Sequence, residues 1–111
     1  MARRLVIPDP SLVILCGPAG SGKSTFARRR VRESAIVSSD RCRAMISDDE
    51  GNIRVSPEAF ELFYFIIGLR LRHRRLTVAD STALRREARR ELLNLARRHK
   101  VPAVLLVFAV S

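Results

Sequence analysis

Tryptophan is absent from this chain, and cysteine, methionine and histidine occur only twice each. Cys16 and Cys42 are too few for a disulfide framework. With no CxxC pair and with His73 and His99 alone, a structural zinc site is excluded. Long apolar runs are also missing. The longest, Val101 to Val110, covers ten residues and includes Pro102, whereas a bilayer span needs roughly 20. The start, Met1-Ala2-Arg3-Arg4, carries a signal-like charge. The apolar stretch Leu5-Val6-Ile7 then stops at Pro8-Asp9-Pro10, too short for a signal sequence. These absences point to a soluble protein of the reducing cytoplasm. Lysine is scarce as well, confined to Lys23 and Lys100, so arginine supplies 19 of the 21 cations against 11 acids, a net charge of +10. Two readings of that excess stand side by side. Guanidinium forks suit phosphate oxygens, and a proteome rich in arginine would give the same composition.

What is present suffices for one core. A length of 111 residues allows a single domain, and 47% hydrophobic with 29% charged residues excludes disorder. Leu12 to Cys16 is apolar without alternation, as in a strand buried on both faces of a parallel sheet. A helix is expected from about Lys23 to Ser34, then a strand over Ala35 to Ser38 and a short helix carrying Cys42, Ala44, Met45 and Ile46. Ser56-Pro57-Glu58 reads as a helix start with Ser56 as cap, and the helix should run to about His73. Leu76 to Asp80 and Ala103 to Val110 are further strands. Between them, Thr82 is the expected cap of a helix with Leu84, Ala88, Leu92, Leu95 and Ala96 on one face. The order β-α-β-α-α-β-α-β predicts an α/β fold: four parallel strands with helices on both faces. Residues 1–11 are a lead-in, and residues 12–111 form the core.

Gly17-Pro18-Ala19-Gly20-Ser21-Gly22-Lys23-Ser24 matches the phosphate-binding pattern G-x-x-x-x-G-K-[ST] between a strand and a helix. Glycines let successive backbone N–H groups turn toward phosphate oxygens, and the following helix aims its positive end at the same anion. In this pattern Lys23 reaches the β- and γ-phosphates, Ser24 offers a hydroxyl to Mg²⁺, and Thr25 adds an α-phosphate contact. The glycine spacing does not give the dinucleotide fingerprint. Mg·ATP is the expected ligand.

Asp40 stands at the carboxyl end of the second strand, where ligands of α/β folds gather. Two roles are open for it, a base for an attacking hydroxyl and a helix cap. Arg41 and Arg43 follow as candidate holders of an acceptor phosphate. Asp80 ends the third strand beside the loop and is placed to orient Mg²⁺. Asp48-Asp49-Glu50 lacks calcium-loop spacing and reads as a solvated loop. Phe60, Phe63 and Phe65 read as core, with Tyr64 the one candidate for stacking. The cysteines read as packing residues. Helical arginine runs at 28–32, 70–75 and 85–90 are mostly solvated faces, with some available to nucleic acid.

The loop, then Ser38-Ser39-Asp40-Arg41-Cys42-Arg43, then Ser47-Asp48-Asp49-Glu50, resembles the kinase module of bacterial polynucleotide kinase-phosphatase. Ala59-Phe60-Glu61, Leu76 to Asp80 and Ala88-Arg89 extend the similarity over about residues 10 to 110. The resemblance implies a P-loop kinase-like three-layer sandwich. Asp40 would be the general base for a polynucleotide 5′-hydroxyl, and Arg43 would contact the acceptor phosphate. It implies ATP, Mg²⁺ and a nucleic-acid 5′-end, of RNA or DNA, as partners. Two other readings of the same loop remain, a small-molecule kinase resembling gluconate kinases and a nucleotide-binding module without catalysis. The family's Asp-Ala-Thr-Asn is here Asp80-Ser81-Thr82-Ala83, without the asparagine. In the family a helical lid with arginines, a fifth strand and adenine-binding residues follow the fourth strand. The 111 residues contain no counterpart. The expectation is therefore a chain that binds nucleotide, transfers phosphate poorly by itself, and self-associates through its last strand.

Overall fold

The alternation within Leu12–Cys16, β1, divides the molecule into its layers. A computed structural model describes residues 6–81 and 84–109. In it Leu12 and Ile14 face one apolar cluster while Val13 and Leu15 face another. All four are essentially inaccessible to solvent, as the unbroken apolar run predicts. The other elements are α1 Lys23–Arg30, β2 Ile36–Ser38, α2 Ser39–Ser47, α3 Ser56–Arg72, β3 Thr77–Asp80, α4 Arg86–Arg98 and β4 Ala103–Val107. All strand pairs are parallel, and the spatial order is β2-β3-β1-β4. This is the α/β, four-stranded parallel sandwich that the sequence predicts.

The larger cluster joins the sheet to α2, α3 and α4 through Cys42, Phe63, Ile67, Leu71, Leu92 and Leu95. Along α3 the buried positions Ala59, Phe63, Ile67 and Leu71 recur every four residues, so one stripe of the helix meets the sheet. Each large apolar side chain so buried contributes about 1.5–3 kcal/mol. The opposite face is covered by α1 through Ala27, with Val31, Val104, Leu106 and Phe108 around it. Phe26 and Phe108 meet edge to face, with ring centroids 5.4 Å apart.

Several boundaries differ from expectation. The first helix stops at Arg30, and a short 3-10 turn, Glu33–Ala35, leads into β2. Ser56 lies inside α3 and is not its cap. A 3-10 turn over Ile53–Val55 runs straight into the helix, leaving Val55 at the cap position without a side-chain bond. The expected cap Thr82 lies outside the described residues, and α4 begins only at Arg86. Phe65 is 64% exposed, so it is not core, whereas Phe63 is fully buried. β4 is an edge strand whose residues alternate between exposed and half-buried. Among the described residues, no helix is long and apolar enough to cross a membrane.

Candidate functional site

Three strands deliver the site residues to the carboxyl edge of the sheet. β1 and β3 are neighbours, with Leu15 opposite Asp80, and β2 pairs with β3 so that Ser38 also lies opposite Asp80. The loop after β1, the helix start after β2 and the end of β3 therefore converge.

The loop conformation depends on its glycines. A Cβ on Gly17 would lie 2.8 Å from the Phe108 carbonyl oxygen and 2.9 Å from Ser21 Oγ. Only hydrogen fits, because Phe108 N–H bonds the Cys16 carbonyl at 2.7 Å and draws that chain alongside. Gly22 takes φ 90° at the cap of α1, in the left-handed region that glycine occupies without a Cβ penalty. Gly22 cannot bond the first N–H groups of α1 through a side chain, and no acid stands in the first turn. Those N–H groups are left for an anion. Ser21 Oγ is buried without a hydrogen-bond partner. Pro18, Ala19 and Gly20 form the exposed outer part of the loop, and Thr25 is exposed on the first turn of α1.

Lys23 and Asp80 are 3% and 8% exposed. Their charged groups lie 3.4 Å apart, Lys23 Nζ to Asp80 Oδ1. Ser24 Oγ donates to the other carboxylate oxygen, Oδ2, at 2.8 Å. One carboxylate thus holds both polar residues of the loop's end. A hydroxyl and a carboxylate are hard oxygen donors that suit Mg²⁺. The unpartnered Ser21 hydroxyl, the glycine turn and the buried ammonium suit phosphate oxygens. The residues present therefore fit both groups.

α2 is fastened beside this edge. Ser39 Oγ donates to Ser81 Oγ at 2.9 Å, and Ser38 Oγ caps the helix by accepting from Arg41 N–H. The cap is thus Ser38, and the carboxylate of Asp40 is not needed for it. Asp40 lies in the first turn, its side chain 36% exposed, and pairs with Arg43. Arg43 Nε also donates to the Glu50 carbonyl at 2.6 Å, tying α2 to the acidic loop. In that loop Asp48 ends α2 at φ 59°, and the Asp49 carboxylate accepts from Gly51 N–H. Ser24, Asp40, Arg41 and Asp80 line one cleft of about 730 Å³ together with Arg28 and Glu50. Arg43 does not line it and is held behind Asp40. Arg28 was legible only as part of a charge run. The Ser39–Ser81 bond was not legible, since it needs the adjacency of β2 and β3. Burial pushes both thiols up, Cys16 and Cys42, with Arg89 partly opposing the shift at Cys16.

A search of curated protein sequences finds no significant match. Among solved structures, one chain of a Pnkp1/Rnl/Hen1 complex superposes with TM-score 0.78 at 23% identity. The match takes in 98% of this chain and 38% of that one. A candidate kinase of Chloroflexus aurantiacus J-10-fl superposes with TM-score 0.71 at 18% identity, over 91% of this chain and 59% of its own. The chain thus spans less than two thirds of either matched chain, and the likeness is one of fold. A family of AAA domains matches residues 12–111, nearly the whole sequence, and the chain belongs to that family.

Proposed function

We propose that the protein is an ATP-dependent phosphotransferase whose acceptor is the 5′-hydroxyl of a polynucleotide, with residues 12–111 as its nucleotide-binding core. The observation that carries the reading is the meeting of Ser24, Asp80 and Asp40 on one open cleft beside the buried ammonium of Lys23. The triphosphate lies along Gly17 to Thr25, with Lys23 leaving Asp80 for the β- and γ-phosphates. The Ser24 hydroxyl and the Asp80 carboxylate would hold Mg²⁺, which would neutralise charge on the phosphates. Asp40 accepts the proton of the 5′-hydroxyl as its oxygen bonds to the γ-phosphorus. The bond from that phosphorus to the bridging oxygen breaks, and ADP leaves. Arg43, paired with Asp40, orients the carboxylate from behind, and Arg41, which lines the cleft, is the guanidinium open to the acceptor's first phosphate.

The fold likeness to a Pnkp1/Rnl/Hen1 complex and the net charge of +10 favour a nucleic-acid acceptor over a sugar acid. The test is transfer of labelled phosphate from ATP by the full protein, offered a 5′-hydroxyl oligonucleotide or gluconate. Label on the oligonucleotide is expected. Label on gluconate alone would replace this reading with the small-molecule one, and ATP binding without label on either would leave a binding module.

A further inference from the structure

At the opposite end of the sheet, where the strands begin, a second cleft of about 700 Å³ is lined by Arg29, Arg30, Arg32, Arg70, Arg74 and Arg75, with Asp9 its single acid. Among the described residues none of the six lies within 4.0 Å of a carboxylate; the ion pairs there are Lys23–Asp80 and Arg43–Asp40. Three are fixed in place. Arg30 stacks on the Phe26 ring at 4.8 Å. Arg70 donates to the Leu76 carbonyl at 2.9 Å and to Thr77 Oγ1 at 3.3 Å. Arg74 donates to the His99 carbonyl at 2.6 Å. Burial first, then the like charges of Arg75 and Arg32, pull the Arg70 pKa down. A concentration of uncompensated, partly immobilised guanidiniums is costly without an anion, and cheap to bind to because little freedom is left to lose.

The two clefts meet. Ser34 lines both this one and the cleft of Asp40. β2, the strand beside them, is an edge strand, and its three residues span only about 10 Å. We propose that a polynucleotide whose 5′-end lies at Asp40 runs along the β2 edge past Ser34 and seats its following phosphates in the arginine cleft. The proposal rests on the polynucleotide reading above and adds the path of the strand. A bilayer does not fit the cleft, since it is concave and its apolar members Val31 and Leu76 are half-buried. A single small anion would leave most of six arginines unpaired. A chain of evenly spaced phosphates does not.

The test is fluorescence anisotropy of 5′-hydroxyl oligonucleotides of about 2 to about 12 nucleotides with the full protein, as a function of salt. Arg32→Ala with Arg75→Ala is the informative variant. Both side chains are exposed and neither makes a hydrogen bond among the described residues, so the fold is retained. Arg86→Ala with Arg90→Ala removes the same charge from α4 and serves as control. Affinity should rise with length and then level off. The cleft variant should weaken the longer oligonucleotides about tenfold and lower the logarithmic salt slope by about 1.4, two single-strand phosphate contacts at about 0.7 each. It should leave the dinucleotide and Mg·ATP titrations unchanged. An equal loss in the α4 control, no dependence on length, an unchanged slope, or full competition by phosphatidylserine vesicles would overturn the path. Failure of the kinase reading shows elsewhere, as absence of phosphate transfer to the same oligonucleotides.

Discussion

Removing Asp80 should destabilise the protein more than removing Lys23, although the two form one ion pair. The side chains are 4% and 11% exposed, and the charges are 3.4 Å apart. At an effective dielectric near 20, such charges attract by about 5 kcal/mol before desolvation is counted. Desolvation cancels much of that. The net worth of the pair is small, while an orphaned buried charge costs about 3–5 kcal/mol. The orphans differ. In Lys23→Met, Asp80 keeps the Ser24 hydroxyl at 2.8 Å. In Asp80→Asn, the amide oxygen still accepts from Ser24, but the nearly inaccessible ammonium loses its only carboxylate among the described residues. Asp80→Asn should therefore cost about 3 kcal/mol and Lys23→Met about 1–2 kcal/mol, with the double variant losing less than the sum by at least ~1 kcal/mol. The assay is urea unfolding with chelator and without nucleotide, followed by far-ultraviolet circular dichroism because the chain has no tryptophan. Additivity within about 0.5 kcal/mol would refute the reasoning, as would equal costs for the two single variants.

Three further outcomes follow from the same geometry. Gly17→Ala forces a Cβ against the Phe108 carbonyl oxygen, so it should cost about 1–3 kcal/mol and weaken nucleotide binding; a nucleotide titration and a melt like those of wild type would contradict it. Asp40→Asn should leave both ATP affinity and helix content unchanged, because Ser38 is the cap, while transfer falls ~10²–10⁴-fold; a fully active variant would remove Asp40 as base. Burial raises the Cys42 thiol above its ordinary 9.0, so its contribution is full below that pH and fades as pH climbs through the raised value. Cys42→Ala should therefore lose less stability than wild type as pH rises above 9.0, and parallel losses in the two melts would count against the assignment.

The strand–loop–helix around Lys23 was legible because each step is local: an apolar run, a glycine turn, a lysine-serine pair. Strand order was not. Nothing in the local pattern tells β1 to lie between β3 and β4, yet that placement brings Asp80 onto Lys23 and Ser24. Asp80 was read as a site residue from its position at a strand end, but its grip on Lys23 depends on the β1–β3 register. The last strand, apolar throughout, was expected to present an unpaired edge, and it does lie at the edge of the sheet. At the sheet edge only alternate residues are covered, and Val107 is 74% exposed. Ser56 looked like a cap because it precedes Pro57, but the preceding 3-10 turn already supplies helical backbone. The arginine runs were visible as charge. That those at 29–32 and 70–75 share a cleft follows from β2 and β3 being neighbours.

The central claim is that phosphates of a nucleotide bind where the ammonium of Lys23 lies beneath the glycine loop. A calorimetric titration of Mg·ATP into the wild type and into Lys23→Ala tests it most directly. The account predicts a saturable 1:1 isotherm for the wild type, nearly matched by Mg·GTP because the triphosphate dominates, and a loss of at least about 100-fold in Lys23→Ala, whose circular dichroism stays that of the wild type. Equal isotherms for the two proteins, or no heat in either, would contradict it.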